Sequence, residues 1–136
     1  MNERTLILVV EDNEANQMLA RAVLELEGYA VEVVGSAPEA AEWLSEKRPD
    51  LVLMDIQLPG QDGLSFTREL KQRPETRDIP VVALTAHAMH GDRELTISAG
   101  CLGYIAKPID TRTFGASVGH FLRLAGSDQG HVVARQ

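Results

Sequence analysis

The stretch Leu51-Val52-Leu53-Met54-Asp55 constrains this chain most: four apolar residues run straight into one carboxylate. A short unbroken apolar run predicts a strand buried on both faces, as in the interior of a parallel sheet. Ligands of open α/β sheets sit just beyond the carboxyl ends of such strands. Asp55 is therefore either a turn or cap residue or a chemical group. The cap reading needs a helix that starts there. Ile56-Gln57-Leu58-Pro59-Gly60 has no helical period, and Pro-Gly marks a turn. The chemical reading gains, and the rest of the chain has to supply its partners.

Thr5-Leu6-Ile7-Leu8-Val9-Val10 predicts a second buried strand, and it also ends in acid, at Glu11-Asp12. Ala15, Met18, Leu19, Ala22, Val23 and Leu26 then recur at helical spacing and predict one buried helix face. Asn13 is available as the cap and Gly28 as the stop, so Glu11 and Asp12 are not both needed for capping. Ala30 to Val34 predicts a short strand. Ser36-Ala37-Pro38-Glu39 combines a capping box with an early proline and opens a second helix. Its expected buried face is Ala37, Ala40, Ala41 and Leu44, with Trp43 off that face and half exposed.

After the central strand, Asp62-Gly63 opens a third helix with Gly63, Phe66, Thr67 and Leu70 on one side, closed by Arg73-Pro74. Ile79 to Leu84 predicts a fourth strand, ending at Thr85. The segment from about Met89 to Ala99 predicts a poorly amphipathic helix, because Leu95 and Ile97 are two apart and make no helical face. Weak packing makes it a candidate moving part. Leu102 to Ala106 predicts a fifth strand, interrupted by Gly103 and ending at Lys107-Pro108. A last helix, opened by Asp110 or Thr111, carries Phe114, Val118, Phe121, Leu122 and Ala125 on one face. Residues 127–136 have no pattern and are expected to form a flexible C-terminal tail, which leaves 1–126 as the folded domain.

Five βα units of these lengths predict an α/β fold: a parallel sheet covered on both faces by helices joined through right-handed crossovers. In such a sheet the strand ends share one edge. That edge collects Glu11, Asp12, Asp55, Thr85 and Lys107. Loops are polar anyway, so any one of these residues is unremarkable alone; the set is not. Two unit charges 4 Å apart cost roughly 4 kcal/mol at an effective dielectric of 20, so three gathered carboxylates call for a cation. Hard oxygen ligands in small number suit Mg²⁺, which takes one or two carboxylates, keeps waters and shares a substrate phosphate. A lysine supplies a point charge for phosphate and a threonine supplies a hydroxyl. The edge looks built for phosphoryl transfer, where positioning and charge neutralisation do most of the work. A carboxylate can itself be the nucleophile and form an aspartyl phosphate. Asp55, on the central strand, is the natural candidate.

The motifs VEDNEAN, LVLMDIQLPGQDG, LTA and GYIAKPI, in this order and at these spacings, resemble the response-regulator receiver domain. The resemblance runs from about Thr5 to Ala125. It implies a flavodoxin-like, doubly wound sheet of strand order 2-1-3-4-5. It implies Asp55 as phosphoacceptor, Glu11 and Asp12 as the acid pair for Mg²⁺, and the Gln57 backbone carbonyl as a further ligand. Thr85 and Tyr104 match the switch pair and Lys107 the phosphate-binding lysine. Pro108 matches a proline with a cis bond to the preceding lysine. Gln57 and His87 match positions that tune the lifetime of the acyl phosphate. The implied partners are a histidine kinase or histidine phosphotransfer protein as donor, and a target protein at the surface of helix 4, strand 5 and helix 5. Phosphorylation-dependent dimerisation is an open alternative to a monomer. The DNEAN and MDIQLP stretches further resemble hybrid-kinase receivers and single-domain regulators of the DivK type.

Composition narrows the alternatives. With 44% hydrophobic and 24% charged residues, the chain can build a core and is not globally disordered. A net charge of -7 argues against a nucleic-acid binder, which needs a basic face. The single cysteine, Cys101, allows no intrachain disulfide, and Met1 to Arg4 lack a signal-peptide pattern. A cytoplasmic setting is expected, with no membrane partner. Cys101 itself is expected to be a small buried hydrophobe. His87, His90, His120 and His131 show no metal-ligand spacing. Nothing after Ala125 resembles an output domain, so the expectation is a single-domain regulator or a receiver cut from a longer protein. Two other functions share this edge chemistry. An aspartyl-nucleophile Mg²⁺ phosphatase of the haloacid-dehalogenase type would want a second Asp where Gln57 stands. A phosphate-independent interaction module would not need the full acid, hydroxyl and lysine set.

Overall fold

Strand and helix alternate as the pattern predicts. The computed structural model describes residues 4–86 and 92–126. The strands are β1 (Leu6–Val10), β2 (Ala30–Val34), β3 (Leu51–Asp55), β4 (Val81–Thr85) and β5 (Gly103–Ala106). The helices are α1 (Glu14–Leu26), α2 (Ala37–Leu44), α3 (Gly63–Gln72), α4 (Asp92–Ala99) and α5 (Phe114–Gly126). All pairings are parallel and the order is β2-β1-β3-β4-β5. β3 lies at the centre, buried along its whole length.

Period-two alternation sends each strand's side chains into two separate cores. Leu8, Val10, Val52, Met54, Val81 and Ala83 pack on one face with Ala37, Ala40, Phe66, Leu70 and Ala99 of α2, α3 and α4. Ile7, Val9, Leu51, Leu53, Val82 and Leu84 pack on the other with Ala20 and Leu24 of α1 and Phe114 and Val118 of α5. The result is a three-layer sandwich. Gly103 starts β5 rather than interrupting a strand from Leu102, and the Phe121 ring of α5 occupies the space a Cβ there would need.

The helix starts follow their caps. Asn13 Oδ1 accepts from Asn16 N at 2.9 Å, Ser36 Oγ from Glu39 N at 3.3 Å and Asp62 Oδ1 from Ser65 N at 2.8 Å. Glu39 reaches back to the N–H of Gly35 (2.7 Å), one residue further than a capping box requires. Trp43 is half-buried, as expected, but it packs against the same α2–α4 core as Ala41 and Leu44 rather than off that face.

Two further expectations need correction. The buried face of α1 is Ala20 and Leu24, with Leu19 and Val23 half-buried beside them. Met18 is 71% and Leu26 88% exposed, and Ala15 and Ala22 also face solvent. The apolar pattern misplaces the face because polar Gln17 and Arg21 lie toward the sheet: Gln17 Nε2 donates to Glu11 O (2.5 Å) and Arg21 Nη1 to Val31 O (3.2 Å). Second, α5 begins at Phe114. Asp110 instead holds a turn, its carbonyl accepting from Thr113 N and Phe114 N and its Oδ1 from Arg112 N. The tail at 127–136 and the first part of the helix expected from Met89 lie outside the described residues.

Candidate functional site

The register places the chemistry. Val10 pairs with Met54, Asp55 with Leu84, and Thr85 with Ala106. Each polar group expected at the edge thus follows or ends a paired apolar run. Glu11 N donates to Val34 O, Ile56 N to Leu84 O and Lys107 N to Thr85 O, so the backbone stays held as the strands end.

Three groups form the centre. Asp55 is 3% and Glu11 1% exposed. The Lys107 ammonium lies between them, 3.2 Å from Asp55 Oδ2 and 3.3 Å from Glu11 Oε1. Asp12 is exposed at the rim, and one carboxylate oxygen from each of Glu11, Asp12 and Asp55 falls within 4.8 Å of the others. Thr85 is buried at the end of β4. Tyr104 is half-buried, packed on the α2–α4 core, and lines a cleft with Pro108 and His120. The Lys107–Pro108 peptide bond is cis. His87 lies outside the described residues.

Hydrogen bonds fix the two buried acids differently. Asp55 Oδ1 accepts from Gln57 N at 3.0 Å. Glu11 Oε2 accepts from Asn13 N at 3.1 Å and, at the limit of bonding distance, from Asn16 Nδ2 at 3.5 Å. Glu11 Oε1 is buried without a hydrogen bond, although Lys107 is its ion partner. A buried carboxylate oxygen left short of donors is a place for a cation.

Burial pushes Asp55 above the usual carboxylate range; Glu11 adds to the rise, while the Gln57 N–H and Lys107 oppose it. Burial alone would pull Lys107 down, but the charges of Asp55 and Glu11 prevail and hold it above the ordinary lysine value. One ammonium is thus set against more negative charge than it can neutralise. Hard oxygens in this number fit Mg²⁺, with Glu11, Asp12 and Asp55 as the side chains that could hold it.

Sequence reasoning missed the groups that position these acids. Gln17 and Asn16 tether Glu11 from α1, and nothing in their spacing announces it. Gly63 did carry a signal, as a glycine just inside a helix start, where most residues serve. A Cβ there would collide with the Asp55 carbonyl oxygen, so only glycine lets α3 begin against the end of β3.

A family model described as the response regulator receiver domain matches residues 7–118. The chain is 45% identical over 116 residues to the polar-differentiation response regulator DivK of Brucella anthropi, covering 85% of this chain and 94% of that protein. Among solved structures, the receiver domain of a sensor histidine kinase from Pseudomonas aeruginosa, with a magnesium ion coordinated in its active-site cleft, is 39% identical. It aligns at a TM-score of 0.79 over 91% of this chain and 99% of that one. The signal receiver domain of a histidine kinase from Syntrophus aciditrophicus aligns at 0.79 with 32% identity, over 97% and 94% of the two chains.

Proposed function

The chain belongs to the response regulator receiver family of two-component signalling, and from that premise we propose that it is a phosphoacceptor switch with Asp55 as the acceptor. The carrying observation is the buried Asp55 carboxylate, paired with Lys107 at 3.2 Å and grouped with Glu11 and Asp12. A phosphohistidine on a kinase or phosphotransfer protein is the donor. An Asp55 oxygen attacks phosphorus, the P–N bond breaks, and its electron pair returns to the imidazole nitrogen, which takes up a proton. Glu11, Asp12, Asp55 and the Gln57 carbonyl would hold Mg²⁺, which when bound neutralises charge on the phosphoryl oxygens.

The chain's own groups do the rest. Lys107 balances the phosphoryl group, which brings roughly two negative charges at neutral pH. The Thr85 hydroxyl donates to it. Tyr104 then turns inward, and the surface of α4, β5 and α5 changes for a target protein. Support for α4 as the moving part is its thin anchoring: Thr96 and Ala99 are buried while Leu95 and Ile97 are half exposed. The exposed stripe of Ala15, Met18 and Ala22 on α1, beside the acid edge, offers the donor an apolar surface. Gln57 and His87 tune hydrolysis of the acyl phosphate. The chain acts in the cytoplasm as a signal carrier and turns over no other substrate.

Intact mass after incubation with acetyl phosphate tests this reading. Wild type should gain one phosphoryl group only with Mg²⁺, and Asp55→Asn should gain none. No gain from acetyl phosphate or from a phosphohistidine donor would overturn it and leave a phosphate-independent module. Continuous release of phosphate from an added monoester would favour the phosphatase.

A further inference from the structure

At the opposite edge of the sheet, away from Asp55, lies a cleft of ≈ 870 Å³. That size falls within the roughly 300–1,000 Å³ of small-molecule sites. Three cations line it: Arg48 from the α2–β3 connection, Lys71 from the end of α3, and Arg77 from the α3–β4 connection. Asp78 is the one carboxylate in the lining. Such a cluster is unexpected in a chain of net charge -7.

These cations are not used up by the fold. Among the described residues, none of the three lies within ion-pair distance of a carboxylate. Lys71 Nζ donates to Ile79 O (2.6 Å) and Arg77 O (3.1 Å), which leaves one of its three donors. Those bonds pin the ammonium in a half-buried place where a counter-charge is worth more than at the open surface. Arg48 makes one long bond, Nη1 to Glu75 O at 3.4 Å, and the Arg77 guanidinium makes none among the described residues. The apolar surface that the lining offers comes from Pro80 and Leu102, both half-buried, while Val81, Cys101 and Ala125 are closed off beneath it.

We propose that this cleft binds a phosphate-bearing small molecule with a flat apolar body, a nucleotide being the simplest case. The phosphate would sit among Arg48, Lys71 and Arg77, where guanidinium groups bond phosphate oxygens in pairs. The base would lie against Pro80 and Leu102. Gly100, Cys101 and Leu102, which join α4 to β5, form part of the wall. A ligand here therefore touches the base of the α4–β5–α5 surface from the side opposite Asp55.

The test is a titration of the full chain, followed by amide NMR in EDTA without phosphoryl donor, so that it is independent of the Asp55 chemistry. The probes are ATP, AMP, adenosine and pyrophosphate. ATP and AMP should shift the amides of Arg77, Gly100, Cys101 and Leu102, and adenosine should not. Arg48→Glu combined with Arg77→Glu, both exposed positions, should weaken nucleotide binding at least about tenfold. Unchanged circular dichroism and unchanged phosphorylation at Asp55 would show that the double variant is folded. Three results would overturn the proposal: no shift of these amides at millimolar nucleotide, undiminished binding in the double variant, or pyrophosphate binding as tightly as ATP.

Discussion

The two edges of the sheet are built on the same strands and carry opposite charge. At the carboxyl edge Glu11, Asp12 and Asp55 face one ammonium, Lys107. In the cleft at the amino edge Arg48, Lys71 and Arg77 share the lining with one carboxylate, Asp78. The acid edge is buried: its two inner carboxylates are almost closed to solvent, so each charge there carries a desolvation cost. Arg48 and Arg77 stay exposed and carry little such cost, whereas burial pulls the half-buried Lys71 below the ordinary lysine value. Two buried carboxylates therefore concentrate the tension where the phosphoryl group is proposed to arrive, while Arg48 and Arg77 at the other edge are close to neutral for stability.

That difference is open to attack by substitution. The largest effect should come from Lys107→Ala, which leaves Glu11 and Asp55 buried without their counter-charge. Urea denaturation in EDTA at neutral pH should show a loss of about 3 kcal/mol. Next is Gly63→Ala. Its Cβ meets backbone rather than a flexible side chain, and overpacking of this kind costs about 1–3 kcal/mol. The same substitution should slow phosphorylation, because the backbone it displaces carries Asp55.

Asp55→Asn should act in the other direction. Burial holds Asp55 above the ordinary carboxylate value, so the folded chain keeps its proton more tightly than the unfolded chain. Stability therefore falls as pH rises from the ordinary value through the raised one, and the cost is fully present above the raised value. The asparagine removes it, for a gain on the order of 1 kcal/mol in EDTA that fades as the solution is acidified. Destabilisation by Asp55→Asn would show that the acid edge is not strained. The smallest effect belongs to the basic edge: Arg48→Ala and Arg77→Ala should each stay within about 0.5 kcal/mol of wild type. A larger loss would mean that this edge is also structural.

The edges also differ in how they could be read from sequence. Every group at the acid edge follows or ends an apolar run, so strand ends located by hydropathy locate the chemistry as well. The basic edge draws on a helix terminus and two connections that are far apart in sequence, and no local pattern unites Arg48, Lys71 and Arg77. The strand order followed from the family resemblance, whereas periodicity gave only alternation. Periodicity failed on α1. There half-buried Gln17 and exposed Arg21 both reach backbone carbonyls at the sheet, the buried side is only Ala20 and Leu24, and an apolar stripe is left open. Asp110 and its neighbours have cap chemistry that predicts an early α5 start, and the structure uses it for a turn.

The central claim is that the strained carboxylate of Asp55 is the group that takes the phosphoryl. Borohydride reduction of the phosphorylated chain, followed by peptide mass mapping, tests it most directly, because an acyl phosphate is reduced to an alcohol at the residue that carries it. The account predicts homoserine in place of Asp55 alone, formed only when Mg²⁺ and a phosphoryl donor were both present. Reduction at Asp12, at any other carboxylate, or equally without Mg²⁺ would contradict it.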